Sequence, residues 1–288
     1  MIQDISPYTY HNEFMPVPID EKACILSYDK KSVLVRQEGN QFTLPAASDF
    51  PGWKADNFIW LFAIDDIPFF LARRTLPAPE GFTYVPIRYM RHAGPRYLAF
   101  ACVTGMSLAG WYRHHQLCGC CGRPLQHSKK ERMLYCPFCG IMNYPRINPA
   151  VIVAVRNDDK LLVSTYAGRE YTNMALIAGF AEIGETIEET VHREVMEEVG
   201  IRVKNLRFYK SQPWCFTDTL LFGFFCDLDG ADTLRVDHEE LATARWIGRD
   251  EVPDDVEKVS LTMEMMSQVV ASERGLAQTN GVTAILGL

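Results

Sequence analysis

Residues 179–201 read GFAEIGETIEETVHREVMEEVGI, a segment with seven glutamates and one arginine. Within it Ile187, Val191, Val195 and Val199 recur every fourth position, the spacing of one buried face of a helix. On the same helix Glu194, Glu197 and Glu198 stand at i, i+3 and i+4 and project from one edge. Like charges so placed repel by a few tenths of a kcal/mol per pair. Arg193 offsets part of this by pairing with Glu197 one turn on or Glu189 one turn back. A solvated charged face is the bland reading of such a run. Two features oppose it: the glutamates keep to one edge beside the valine row, and the glycine-bearing loop AGFAEIGET leads straight into the helix. Glycines let backbone N–H groups approach an anion, and the helix N-terminus adds its dipole. The positive charge that balances this edge would be hard divalent cations, which take carboxylate oxygens and bridge to phosphates. Glu182, Glu188 and Glu189 are left facing water.

Immediately upstream, VIVAVRNDDKLLVSTY (Val151–Tyr166) sets two β-branched runs around an Asn-Asp-Asp turn, as adjacent strands require. Downstream, strands are expected at LRFYKS (206–211) and TLLFGFFCDL (219–228), and a last helix at VEKVSLTMEMMSQVVASE (256–273). Strands on both sides of an internal helix predict an α/β sandwich. The proline-marked joint NYPRINPA (143–150) precedes it.

Ahead of that joint, Cys118 and Cys121 form one CxxC, Cys136 and Cys139 another, with 14 residues between the pairs. Each knuckle aims two thiolates at one point, and two complete the tetrahedron that Zn²⁺ prefers. Gly122 and Gly140 follow the pairs and supply the backbone freedom of the knuckles. Cys120 could stand in for Cys121, but the symmetric spacing favours Cys121. Four protein ligands leave no open position, so one zinc per chain would hold the fold rather than catalyse. Cys24, Cys102 and Cys226 lie in apolar runs and read as small core residues. Farther upstream, the runs ACILSYD, KSVLVRQ and NFIWLFAIDDIPFFLARR between Lys22 and Ile87 predict a small β-rich domain, followed by a helix from Gly94 to His115.

The chain of 288 residues is 48% hydrophobic and 23% charged, with a formal net charge of −7. That composition is globular, and the charge disfavours wrapping long nucleic acid. MIQDISPYTYHNEF carries no secretory pattern, and Tyr97–Tyr112 is shorter than a bilayer span, so no membrane partner is expected. Nine cysteines without a secretory signal point to thiols and metal, with a cytoplasmic location as the default.

Gly179, Glu185, Arg193-Glu194-Val195, Glu197-Glu198 and Gly200-Ile201 together resemble a complete Nudix box, G-x5-E-x7-REU-x-EE-x-GU. The segment SQPWCFTDT (Ser211–Thr219) is similar to the SQPWPFPxS motif of NADH pyrophosphatases within the Nudix hydrolases, and the zinc ribbon, the YPRINP joint and the β-rich N-terminal domain resemble that family too. The resemblance implies residues 1–113 as the β-rich domain ending in a helix, 114–146 as the zinc ribbon and 147–288 as a Nudix α/β/α sandwich. It implies Mg²⁺ or Mn²⁺ on Glu194, Glu197 and Glu198, with Ala178 and Glu240 at further metal positions, and Glu185 with Arg193 tying loop to helix. The bland reading of Glu240 is an exposed helix-start glutamate. Implied substrate contacts are Arg88, Glu131, Tyr144, Ala178, Phe180, Gln212, Pro213, Trp214, Cys215, Phe216, Thr217, Asp218, Thr219 and Thr262. Here Cys215 and Thr217 replace two prolines and Thr219 a serine, which loosens the loop. Thr262 replaces an alanine, and Ala46 falls where the family has a lysine.

The implied reaction splits the diphosphate of NAD(H) into nicotinamide mononucleotide and AMP, with Glu240 or a box glutamate as base. Removal of NAD caps from RNA and a homodimer are further implications. ADP-ribose or dinucleoside polyphosphates are the alternative substrates. A zinc-ribbon nucleic-acid-binding regulator with a vestigial Nudix domain is the rival of another class. Arg113, His114, His115, Arg123, Lys129, Lys130, Arg132 and Arg146 near the ribbon give it local support.

Overall fold

The computed structural model describes residues 1–168, 173–255 and 259–271. They cluster into two compact units. One comprises Met1, 149–212 and the chain from 221 onward; the other comprises 2–148 and 213–220.

The first unit is built on the hairpin foreseen around Asn157, whose strands run Asn148–Asn157 and Lys160–Tyr166. Asp158 takes a left-handed φ of 52° at the turn, a conformation that Asp tolerates. The six-stranded sheet places its strands in the order 202–214, 219–229, 148–157, 160–166 and 241–247, and the short strand Ile177–Phe180 pairs with 148–157. Side chains along 148–157 alternate between two cores, as a pleated strand must. Val151, Val153 and Val155 pack with Val191, Val195 and Val199 of helix α2 (Ile187–Val199). Ile152 and Ala154 face the other way, onto Leu261, Met265 and Met266 of helix α3 (Leu261–Ala271). A sheet covered by one helix on each face is the α/β/α sandwich expected.

Two boundaries differ from the sequence reading. The strand expected at 206–211 extends over Arg202–Trp214, because pairing with 219–229 satisfies its backbone despite the polar residues it carries. Helix α3 begins at Leu261; of the longer helix expected there, 256–258 and 272–273 lie outside the described residues.

The second unit contains the β-rich region. Strands Phe58–Ile64 and Ile67–Ala72 make a hairpin, flanked by Tyr10–His11 and Cys24–Leu26. A second sheet joins Tyr28–Asp29, Ser32–Glu38, Gln41–Thr43 and Thr83–Pro86. The helix expected after the β-rich region is α1, Arg96–His114, close to the bounds foreseen. Among the described residues no helix is long and apolar enough to cross a membrane. A three-stranded sheet, 126–127, 134–135 and 142–143, carries the cysteines.

Candidate functional site

Helix α2 begins at Thr186, whose hydroxyl accepts from the Glu189 amide (3.2 Å), while the Glu189 carboxylate accepts from the Thr186 amide (2.8 Å). This reciprocal pair is a capping box. Glu189 is therefore committed to the cap, where the sequence reading left it facing water or pairing with Arg193. The αL residue Gly200 (φ 70°) closes the helix.

Arg193 is instead bound through all five of its N–H donors. Nε and Nη2 grip Glu185 in a fork (2.8 and 2.9 Å), Nη1 donates to Glu194 (2.7 Å) and Glu197 (2.9 Å), and Nη2 also donates to the Phe180 carbonyl (2.8 Å). Glu185 also accepts from the Glu182 amide (3.1 Å) and the Thr190 hydroxyl (2.9 Å). The guanidinium and these bonds hold the Glu185 carboxyl down at about 2. Glu185 thus stays an anion that ties loop 179–185 to α2, leaving Arg193 to orient Glu194 and Glu197.

Glu194 and Glu198 are buried, Glu198 at 2% exposure, while Glu197 is exposed. Burial pushes the Glu194 pKa up, Arg193 pulls it down, and the nearby carboxylates of Glu197 and Glu240 add to the rise. Such crowding of partly buried carboxylates raises the demand for a cation. Glu240 lies in the turn at 238–240 that enters the strand Leu241–Ile247, not at a helix start. The same segment hangs on the end of α2, because the amides of Arg235 and Asp237 donate to Val199 O and Glu198 O (2.9 Å each).

Gly179 and Ala178 sit on the strand 177–180, opposite Val151 and Ile152. A Cβ at Gly179 would collide with the Glu194 carboxyl group. The glycine leaves room for that carboxyl group against the strand. Phe180, one residue on, is 54% exposed and presents an aromatic face to solvent.

Gln212 is fully buried, its amide donating to Val259 O (2.9 Å) and accepting from Leu261 N (2.7 Å); this side chain caps α3. Thr262 stands half-buried on the first turn of α3.

In the other unit Arg88 is exposed on the short 3-10 helix Ile87–Arg91. Tyr144 and Glu131 meet through a 3.2 Å hydrogen bond. Pro213 and Trp214 end one strand, Thr219 begins the next, and Cys215, Phe216, Thr217 and Asp218 form the tight turn between them, in which Thr217 N–H donates to Trp214 O (3.2 Å) and the Thr217 and Thr219 hydroxyls are 2.9 Å apart. Burial raises the Cys215 pKa, which makes it a packing thiol rather than a nucleophile. Arg91 and Ser107, which sequence reasoning did not single out, both touch this loop. No spacing rule would have found them.

The Sγ atoms of Cys118, Cys121, Cys136 and Cys139 lie within 4.8 Å of one another and could hold a metal ion. Gly122 and Gly140 sit at φ 69° and 70°. Their amides donate to Cys118 O (2.8 Å) and Cys136 O (2.9 Å), so both knuckles have the same geometry. The amide of Cys139 bonds the Cys136 sulfur (3.4 Å), and Cys136 is held down at about 7 by that bond. Cys121 and Cys136 sulfurs are 3.6 Å apart, close to the roughly 3.8 Å edge of a tetrahedron with metal–sulfur bonds of about 2.3 Å. Of the basic residues nearby, Arg123 stacks on Phe138 (3.8 Å) and Arg132 packs over Phe14 and Trp60.

Residues 146–264 match the model of the NUDIX domain. The chain is 45% identical over 149 residues to the NAD-capped RNA hydrolase NudC of Klebsiella pneumoniae subsp. pneumoniae, covering 52% of this chain and 58% of that protein. It is also 45% identical to the protein of the same name from Enterobacter sp. strain 638, covering 52% and 57%. The chain thus spans a little over half the length of these curated relatives. A NUDIX hydrolase structure from Nitrosomonas europaea covers 56% of this chain and 93% of its own, at 22% identity and a TM-score of 0.48.

Proposed function

We propose that this chain, whose residues 146–264 match the NUDIX domain model, is a Nudix enzyme that hydrolyses the diphosphate bond of NAD(H) to nicotinamide mononucleotide and AMP. The observation that carries the reading is the Arg193 brace. One guanidinium fixes Glu194 and Glu197 and is itself fixed by Glu185, so carboxylates are aligned at a helix edge where a solvated charge run would leave them free.

Glu194, Glu197, Glu198 and Glu240 would supply hard oxygen donors of the kind Mg²⁺ or Mn²⁺ takes; among the described residues the side chains already converged on a metal position are the four cysteines, so the glutamates would close on the ions as these bind. Ala178 would add its carbonyl. Bound there, the ions supply Lewis acidity that neutralises diphosphate oxygens and lowers the pKa of a water. Glu240 or a box glutamate accepts the proton from that water. Phe180 offers a face for stacking a nucleobase or nicotinamide, and Trp214–Thr219, Tyr144, Glu131, Arg88 and Thr262 are the further substrate contacts of this reading. Cys118, Cys121, Cys136 and Cys139 would hold one structural Zn²⁺. A cytoplasmic location, a homodimer and residues 1–113, 114–146 and 147–288 as three functional domains complete the proposal.

The relatives' name makes NAD-capped RNA a second substrate for trial, and the exposed basic residues Arg113, His114, Lys129, Lys130 and Arg146 suit an RNA chain. Purified protein is incubated with NADH, NAD⁺, ADP-ribose, diadenosine polyphosphate and NAD-capped RNA, each with Mg²⁺ or Mn²⁺, and AMP or 5′-monophosphate RNA is followed. Cleavage of NADH at the diphosphate is expected. Cleavage of ADP-ribose alone refutes the substrate reading; an unslowed Glu198→Gln variant refutes the metal assignment. Absence of any cleavage leaves the vestigial-domain rival standing.

A further inference from the structure

The loop Pro213–Asp218 lacks proline at 215 and 217, so its shape has to come from contacts rather than from fixed φ angles. Those contacts come from a 3-10 helix, from α1 and from Asn148. Arg91 ends the 3-10 helix Ile87–Arg91, which is pinned by the buried side chains of Ile87 and Met90. Its guanidinium carbon lies 5.1 Å from the Trp214 ring centre and 5.2 Å from that of Phe216, and the two rings are 4.8 Å apart. Nε of Arg91 is buried without a hydrogen bond to a protein group. The charge is therefore met by aromatic faces, an attraction that grows with desolvation.

On α1, Thr104 and Ser107 are one turn apart and share a face. Thr104 reaches the Cys215 sulfur (3.8 Å), and the Ser107 hydroxyl donates to the Asp218 carboxylate. Asp218 takes a left-handed φ of 55° at the turn, a conformation Asp tolerates, and this bond fixes its side chain there. The Asn148 amide and side chain both donate to Asp218 O (2.8 and 3.1 Å) and hold the other side of the turn.

We propose that Arg91 and Ser107 are positioning residues, a clamp that keeps the loop in its binding shape and so sets affinity for the dinucleotide. The inference rests on the function proposed above, in which the loop contacts substrate. If only the fraction of molecules with an ordered loop binds, the apparent dissociation constant rises in inverse proportion to that fraction. A variant that disorders the free loop then raises KM, while kcat, measured with the loop held by substrate, stays close to wild type.

The test uses the full-length protein and the variants Arg91→Leu, Arg91→Lys and Ser107→Ala. Amide hydrogen exchange is read without substrate at Thr217 and Asn148, whose N–H groups bond within the loop turn. Arg91→Leu should speed exchange at both by about fivefold to tenfold and raise KM for NADH by a similar factor, with kcat within about twofold. Arg91→Lys should fall between, keeping the charge but not the planar fork. Ser107→Ala, a mild change on a helix, should shift both readouts the same way and carries the test if Arg91→Leu does not fold. Unchanged exchange and KM in Ser107→Ala and Arg91→Leu overturn the clamp; so does a lower kcat at constant KM. If wild-type protein leaves NADH intact, the function proposal fails, while the exchange rates still decide whether the clamp exists.

Discussion

Replacing Gly179 with alanine separates the chemistry of the site from the stability of the fold. The residue lies in the strand Ile177–Phe180, paired with Val151, and its φ is outside the left-handed region. Alanine is therefore acceptable to the backbone and is favoured over glycine in a strand interior by about 0.5–1 kcal/mol. The atoms nearest the added methyl are those of the Glu194 carboxyl group, well over 1 Å inside the roughly 3.5 Å at which non-bonded atoms rest. The strand is held by its ladder to 148–157, so the carboxylate, at the end of a side chain, is the part that yields. Moving it by more than 1 Å strains the 2.7 Å bond from Arg193 and withdraws an oxygen from the place where it would meet a metal. A misplacement of about 1 Å costs on the order of 100-fold in rate, or about 2.7 kcal/mol of transition-state stabilisation. The assay is steady-state cleavage of NADH beside Mn²⁺ binding by electron paramagnetic resonance and thermal unfolding by calorimetry. Gly179→Ala should lose about two decades of kcat and bind Mn²⁺ more weakly while melting within a few degrees of wild type. Wild-type kcat and Mn²⁺ affinity in this variant refute the placement of Glu194 at the metal.

Three further outcomes follow from local chemistry. Thr186→Ala removes the α2 cap and should weaken the helix by about 1 kcal/mol, seen as roughly fivefold faster exchange of α2 amides; an unchanged rate means the capping box is not formed in solution. Cys136→Ser should abolish stoichiometric zinc in metal analysis and lower the melting temperature, since the bound metal contributes folding energy directly; full zinc content in the variant assigns the metal elsewhere. Asp227 concerns acid stability. Burial alone would raise its pKa, but hydrogen bonds from Arg156 (2.8 Å), Arg207 and Asn205 bring it down to about 2. A carboxyl with a lowered folded-state pKa stabilises above the unfolded value and loses that stabilisation as pH falls through the folded one, here between about 4 and about 2. Because the cluster is partly solvated, on the order of 1 kcal/mol is expected. Denaturant titrations of Asp227→Asn should show a flatter pH dependence in that window, and an unaltered slope rejects the pair.

The parts of this molecule legible in its sequence are those whose partners lie within a few turns. Val191, Val195 and Val199 share a helix face because 3.6 residues make a turn, and the two CxxC knuckles converge because each closes on its own glycine. Thr186 and Glu189 also had a readable pattern, threonine followed three residues later by glutamate; counting charges concealed the cap. The close approach of Gly179 to Glu194 has no local mark, because the two are fifteen positions apart, across the turn between a strand and a helix. Arg91 and Ser107 carry no local mark at all, since the loop they grip is more than a hundred residues downstream. The same physics explains why the loop could depart from proline at 215 and 217. A restraint on φ acts within one residue, whereas a cation between two rings and a hydroxyl on a carboxylate act through the folded chain. Either can hold the turn, but only the second makes its shape depend on α1 and the 3-10 helix. Substitutions in those distant elements should therefore change affinity for substrate without touching it.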